Sequence, residues 1–157
     1  MLNSWLHVVA LTVYLGAIAA LWVMLLPAAS AVDDQDTRTQ FLIRALKLYN
    51  PVQIGALGVV LFTGAFQLTD LKAAYRELFV EQLGYHLGIK LCLAFFLVLF
   101  SVYQCMGIAH RAVRRHEGGA KLSAVEIDLT IGKLKSLNWI ILILALTTTW
   151  LGLRLRS

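Results

Sequence analysis

The sequence predicts an all-α integral membrane protein, an up-down bundle of four helices with short amphipathic helices at the membrane interface. Two observations indicate this fold. Hydrophobic residues make up 59% of the 157 residues and charged residues 15%, against about 45–50% and about 25% in soluble domains. The apolar residues gather in four runs, each long enough to cross a bilayer directly or with its flanking residues. These runs are Leu6 to Val32, Val52 to Leu68, Leu91 to Ala109 and Trp139 to Leu153.

The length of the chain fits one domain, so residues 1–157 are expected to form a single four-span unit. No Lys or Arg precedes Arg38, and the first apolar run is longer than the core of a signal peptide. We therefore expect the first run to be a retained helix.

Basic residues alternate between the predicted connections. Nine lie in the first and third connections, and four lie in the second connection and at the C-terminal end. The positive-inside rule then places both termini on the outer side of a bacterial-type inner membrane. Basic residues beside a membrane attract anionic lipid, so we expect the bilayer, not nucleic acid, as the partner of Arg111 to Arg115.

The first connection is predicted to hold a separate amphipathic helix at residues 40–49, capped by Thr37 or Thr39. Asn50 and Pro51 are then expected to start the second membrane helix. Gly118 and Gly119 should end the third helix, and Ser123 should cap a stretch that continues into the fourth. A further amphipathic segment is predicted at residues 71–82.

Small residues in the second run predict a thin helix. Gly55, Gly58 and Gly64 lie there with Ala56 and Ala65, and small residues let neighbouring membrane helices approach closely. We therefore expect this helix to pack centrally and to leave room for a flat macrocycle.

His7 and His86 are the candidate cofactor ligands. Each begins an apolar run, and the first and third helices of an up-down bundle run in the same direction, so we expect the two histidines at similar depth. Such a pair can ligate one haem iron, or one copper or zinc ion. Lys90 follows His86 by one turn on the same face, and Arg76 is placed to meet haem propionates. In the alternative interpretation, His7 and His86 are hydrated interface residues and Lys90 extends toward the headgroups.

Other polar groups give weaker predictions. Met24, Cys92 and Cys105 are soft groups, but their spacing matches no copper motif. The chain carries no GxSxG, HExxH or phosphate-binding loop, so enzymatic activity stays undecided. His110 and His116 are expected to be hydrated loop residues.

Three segments resemble the copper-resistance D (CopD) membrane domain. They are Leu6-His7 with Tyr14-Leu15-Gly16 and Leu25-Leu26-Pro27-Ala28, then Phe62-Thr63-Gly64, and Tyr85-His86-Leu87-Gly88-Ile89-Lys90-Leu91. The chain is also similar to the HemJ-type protoporphyrinogen oxidases in Leu6-His7 and Lys90. The resemblance implies a four-helix bundle associated with haem b and copper handling, with His7 and Lys90 as recurring polar positions. Tyr14, within the first motif, joins the candidate cofactor-binding residues.

The HemJ-type motifs are incomplete in this chain. Lys135-Ser136-Leu137-Asn138-Trp139 keeps the Asn of an RxxNE motif without its Arg and Glu, and Ala28-Ala29-Ser30-Ala31 replaces a VYH region. These departures disfavour oxidase activity. We therefore expect a haem-b-binding membrane protein or an electron-transfer or accessory subunit that assembles with other membrane subunits. The alternatives are a CopD-like copper-handling protein and a cofactor-free structural subunit.

Overall fold

A computed structural model describes residues 2–74 and 83–154, except for the side chains at positions 68, 70–74, 83–84, 86 and 153–154. Within these ranges every regular element is a helix. The α-helices are α1 (Leu2–Ala20), α2 (Leu26–Ser30), α3 (Gln35–Ala74), α4 (Leu83–Val102), α5 (His110–Glu117) and α6 (Ala124–Arg154). The π-helical turns Leu21–Leu25 and Tyr103–Ala109 join α1 to α2 and α4 to α5.

Four stretches of helix are long and apolar enough to cross a membrane, as the sequence predicts. They are span 1 (Leu2–Ser30), span 2 (Gln35–Gln67), span 3 (Leu87–Glu117) and span 4 (Ala124–Gly152). Only 22–28% of the most apolar window in each span is buried. Large apolar side chains such as Trp5, Phe62 and Phe95 are instead 64–74% exposed. Such a surface suits lipid or a membrane partner better than water.

Span 2 corrects the predicted break at Asn50 and Pro51. The helix runs without interruption from Gln35 to Ala74 with Pro51 inside it, so no separate interfacial helix exists at residues 40–49. Proline removes one backbone hydrogen bond and usually kinks a helix, but packing in membrane bundles tolerates it. Buried side chains lie on both sides of Pro51, with Leu46 before it and Leu57 after it, and they hold the two halves in one helix.

The glycines of span 2 also depart from the prediction. Gly55 and Gly58 are exposed, and a Cβ added at either one would meet no atom within 4 Å. Only Gly64 approaches another helix, where its Cβ would lie 3.4 Å from Cε1 of His7. The small residues therefore do not place span 2 at the centre, because most of them lie on its outer face.

The helix ends on the basic side of the bundle are capped by side chains. Ser123 and Glu126 form a reciprocal capping box, in which Ser123 N donates to Glu126 Oε2 at 3.1 Å and Glu126 N donates to Ser123 Oγ at 3.2 Å. Gly118 ends span 3, and Gly119 takes a positive φ of 82° that favours glycine. These features confirm the predicted helix end and the predicted cap.

Asp34, not Thr37 or Thr39, caps α3. Its Oδ2 accepts hydrogen bonds from the hydroxyl of Thr37 at 2.5 Å and from the amide of Thr37 at 2.8 Å. These bonds, the hydroxyl contributing most, hold the pKa of the Asp34 carboxyl below its usual value of 3.8. The ionised carboxylate is therefore the form that stabilises the helix end.

Asp34→Ala is expected to lower the melting temperature at neutral pH. Because the folded-state pKa is depressed, the stabilisation is complete above about pH 5 and is lost as the pH falls through the folded-state pKa. The difference between Asp34→Ala and the native protein should therefore shrink toward pH 3. Thermal unfolding in detergent at both pH values measures it, with Asp33→Ala at the adjacent exposed position as the control. A difference that persists unchanged at pH 3 would refute the capping role.

Three ion pairs join the helices at the same basic end. Arg38 contacts Asp128 at 2.7 Å, Lys47 contacts Glu117 at 2.5 Å, and Arg115 contacts Glu126 at 2.9 Å. They connect span 2 to span 4, span 2 to span 3, and span 3 to span 4. Exposed pairs of this kind contribute little to stability, so their main consequence here is to fix which helix ends are neighbours.

Candidate cofactor site

A buried network of side-chain amides connects all four spans. Gln53 of span 2 donates to Gln104 of span 3 at 3.4 Å, and Gln104 donates to Oδ1 of Asn138 in span 4 at 3.3 Å. Asn138 in turn donates to the backbone carbonyl of Ile18 in span 1 at 3.0 Å. All three amide side chains belong to residues with 0% exposure. We call this set, with the residues described next, the amide network.

A tyrosine, a serine and a thiol extend the amide network. The hydroxyl of Tyr14 is 2.5 Å from that of Ser101, and Ser101 donates to the carbonyl of Leu97 at 2.7 Å. The thiol of Cys105 donates to Oε1 of Gln53 at 3.3 Å. Tyr14 is fully buried and also bonds to Gln53, which joins it to the amide network; its predicted contact with a cofactor stays a prediction.

The amide network favours one rotation and one vertical register of the helices. A buried amide without partners costs about 1–3 kcal/mol, so sliding or rotating one span would leave Gln53, Gln104 or Asn138 unpaired. Polar networks in a water-poor interior therefore favour one arrangement over its neighbours. Since each of the three amides bonds to a neighbouring span, the network links the helices side by side.

A second polar cluster lies at the other end of the bundle, away from the ion pairs. Its members point inward from apolar helices, since all of them are half-buried except for one buried threonine. Asn3 and His7 are one turn apart on span 1, and Thr63 and Gln67 are one turn apart on span 2. We call the bonded residues Asn3, His7 and Thr63 the His7 cluster; Gln67 lies one turn beyond Thr63, and Lys90 lies on span 3.

The imidazole of His7 is held in a defined orientation. Its Nδ1 lies 2.7 Å from Oγ1 of Thr63. The hydroxyl of Thr63 donates to the carbonyl of Val59 at 2.6 Å, as hydroxyls in membrane helices commonly do. We therefore assign the proton of the His7–Thr63 bond to Nδ1; in the neutral form of the ring, the lone pair is then on Nε2. Metal-binding histidines are oriented in this way by a hydrogen bond to their other nitrogen.

Lys90 lies between spans 3 and 4. Its Nζ is 3.0 Å and its Cε 3.4 Å from the position that a Cβ would take at Gly152. The residue is half-buried, so its aliphatic part packs against span 4 and does not extend freely into lipid. The absence of a side chain at Gly152 makes this path possible, and any larger residue there would displace the ammonium group.

The contacts between spans 3 and 4 give the distance of Lys90 from the amide network. Gln104 meets Asn138, and Lys90 meets Gly152, fourteen positions away on both helices. At 1.5 Å per residue, Lys90 lies about 21 Å along the helix from the network, and His86 lies about 27 Å from it.

Span 1 places His7 at a different level from His86. Ile18 meets Asn138, and His7 precedes Ile18 by eleven positions, or about 16 Å along the helix. The backbone of His86 therefore begins about 11 Å farther from the amide network than that of His7. The predicted common depth of the two histidines does not follow from this register.

The remaining candidate residues either lie outside the described residues or cannot be assigned to a site with His7. The side chain of His86 and all of Arg76 lie outside the described residues. Met24 follows His7 by seventeen positions on one helix, about 25 Å, and is 66% exposed, so the two residues cannot hold one ion. Cys92 is exposed and Cys105 is buried, both as free thiols.

The histidines of the basic end are separate from the His7 cluster. His110 is exposed and His116 is half-buried. They lie beyond the amide network from His7, so neither can share its ligand. Both lie in α5 and not in a loop, which corrects that part of the prediction.

Sequence reasoning found His7 and Lys90 but missed the role of the amide network. Gln53, Gln104 and Asn138 are amides inside long apolar helices, which is the signal that identifies inward-facing polar positions. The partner of His7 could not be read in the same way, because Thr63 is one of several hydroxyl residues in the spans.

Comparisons with protein-family models, curated proteins and solved structures give no match for the chain. The resemblance to CopD-like and HemJ-like proteins therefore stays a prediction.

Proposed function

We propose that the chain is a multi-pass protein of a bacterial-type inner membrane, folded as an up-down four-helix bundle. Contacts between residues near the start of one span and the end of the next support the alternation. Asn3 donates a hydrogen bond to the carbonyl of Thr63, and Lys90 packs against Gly152. The ion pairs lie at the opposite end. We infer from the basic residues that collect at that end of spans 2, 3 and 4 that it faces the cytoplasm and that both termini lie outside.

Reporter fusions test the topology. Alkaline phosphatase fused after Ser157 should be active because it folds outside, whereas a fusion after Gly118 should be inactive. The opposite pattern would refute the proposed orientation. Recovery of the intact chain from the soluble fraction would refute membrane placement itself.

Within this fold, we propose that the chain binds haem b and serves as an electron-transfer or accessory subunit of a membrane complex, with His7 as the residue that would bind the iron. The orientation of the His7 imidazole by Thr63 carries this proposal. In a membrane helix, an inward-facing histidine is costly and usually functional. Haem supplies one-electron chemistry when bound.

Thr63 of the His7 cluster and four residues outside it have distinct roles in this proposal. Thr63 holds the ring of His7, and Gly64 leaves room for it beside span 2. Lys90 places a cation farther toward the membrane surface, where it can attract a propionate, and Arg76 is proposed for the same role. His86 is the proposed second ligand; its offset from His7 makes the coordination number a separate experimental question.

Copper bound by His7 is the alternative that the same ring orientation supports, since neutral imidazole suits copper as well as iron. A cofactor-free structural subunit is supported by a different observation, the amide network, which joins all four spans through hydrogen bonds. In both alternatives the partners are the bilayer and other membrane subunits.

The absorption spectrum of the purified protein, expressed with ample haem, separates these functions. Haem b predicts a Soret band in the oxidised protein and sharp α and β bands after reduction with dithionite. Copper without a Soret band, measured by elemental mass spectrometry, would replace haem with the copper proposal. If protein extracted in mild detergent contains neither haem nor copper, the structural subunit is the proposal that fits.

A further inference from the structure

An apolar groove lies on the surface of the bundle between spans 3 and 4. Its volume is about 500 Å³. Tyr103 and Ile108 line it from span 3, and Leu129, Leu137 and Ile140 line it from span 4. It is separate from the His7 cluster, because these residues lie at the level of the amide network and on the basic side of it.

Two glycines shape the groove. Gly132 forms part of its wall, and a Cβ added there would meet no atom within 4 Å. On span 3, a Cβ at Gly107 would lie only 2.8 Å from Cδ2 of Tyr103. The ring of Tyr103 therefore lies along its own π-helical turn, over Gly107, and makes a second wall. The groove is open because Gly132 is small and because the ring is folded back.

Lys133 gives the groove one positive charge beyond the ion pair of Asp128 and Arg38. Asp128 and Lys133 both line it. The carboxylate of Asp128 is already paired with Arg38 at 2.7 Å, whereas Lys133 is exposed at the edge. An apolar groove that ends beside a lysine complements an acyl chain attached to an anionic headgroup.

We propose that the groove binds one anionic phospholipid, with an acyl chain against Tyr103, Gly132 and Ile140 and the phosphate beside Lys133. This site rests on the proposed membrane placement but not on haem binding. Its function is to fasten spans 3 and 4 to the leaflet at the basic end.

Native mass spectrometry of the full chain in detergent tests the site, with phosphatidylglycerol and phosphatidylcholine of identical acyl chains as probes. The native protein is expected to bind one phosphatidylglycerol in preference to phosphatidylcholine. Lys133→Gln should weaken phosphatidylglycerol binding about fivefold. Gly132→Leu should fill the groove and remove binding of this lipid.

Two matched variants act as controls. Lys135→Gln removes an exposed cation two positions away that does not line the groove, and Gly58→Leu adds the same side chain at an exposed glycine of span 2. Both are expected to bind phosphatidylglycerol like the native protein, and unchanged helical circular dichroism shows that each variant is folded.

Three results would overturn the lipid site. They are equal affinity for the two lipids, retention of phosphatidylglycerol by Gly132→Leu, and a dimer that Gly132→Leu dissociates, which would make a second copy the occupant. Loss of the chain from the membrane fraction would instead refute the membrane placement, so the two failures are distinguishable.

Discussion

His7→Ala is expected to abolish haem binding in protein expressed with ample haem. The variant removes the Nε2 lone pair that we assign to the iron, and alanine leaves no ligand at this position. The Soret band and the reduced α and β bands of the purified protein should both disappear. Thr63→Val keeps the ligand but removes the hydroxyl that orients it, so haem should still bind while its occupancy falls.

His110→Ala is the matched control for His7→Ala. It removes an exposed histidine from the same chain at the basic end, and its spectrum should equal that of the native protein. A haem spectrum that survives in His7→Ala would refute the ligand role. His86→Ala then reports coordination, since loss of a second ligand should change a low-spin spectrum to a high-spin one.

Asn138→Leu is expected to give the largest loss of stability. Leucine has similar size but leaves the amide of Gln104 without its acceptor and the carbonyl of Ile18 without its donor. The free energy of unfolding should fall by about 1–3 kcal/mol, the cost of a buried polar group left unpaired. Reversible unfolding in mixed micelles with increasing dodecyl sulfate measures this change.

Thr147→Leu is the control for Asn138→Leu. Thr147 is exposed on the same helix and donates only to the carbonyl of Ile143 at 2.8 Å within that helix. Its replacement should leave the free energy of unfolding nearly unchanged. Equal stability of Asn138→Leu and the native protein would show that the amide network does not determine the packing.

Composition and the lengths of the apolar runs were sufficient to predict four long helices, because a helix that crosses a bilayer needs a nearly continuous apolar sequence. The same local reasoning failed at Pro51. The rule that proline begins or breaks a helix comes from helices in water, whereas in span 2 the packing of buried neighbours on both sides continues the helix. Local reasoning also failed at Gly55 and Gly58, because the small size of a residue does not indicate which face of its helix is buried.

Inward-facing polar residues were partly predictable. His7 and Lys90 are conspicuous because charge and imidazole are costly in apolar helices. Their depth was not predictable, because it depends on which amides meet at Gln104 and Asn138. The register set there places His86 and His7 at different levels, and no feature local to either histidine indicates it.

The most direct test of the central claim, that His7 ligates a metal-containing cofactor, is pulsed electron paramagnetic resonance of the oxidised protein labelled with ¹⁵N at histidine. It detects imidazole nitrogen bound to ferric haem or to cupric ion. We predict a strongly coupled histidine ¹⁵N in the native protein that is absent from His7→Ala and retained in His110→Ala. Two results would contradict the account. One is a bound paramagnetic centre in His7→Ala with the same histidine coupling, and the other is a bound centre in the native protein with no histidine coupling.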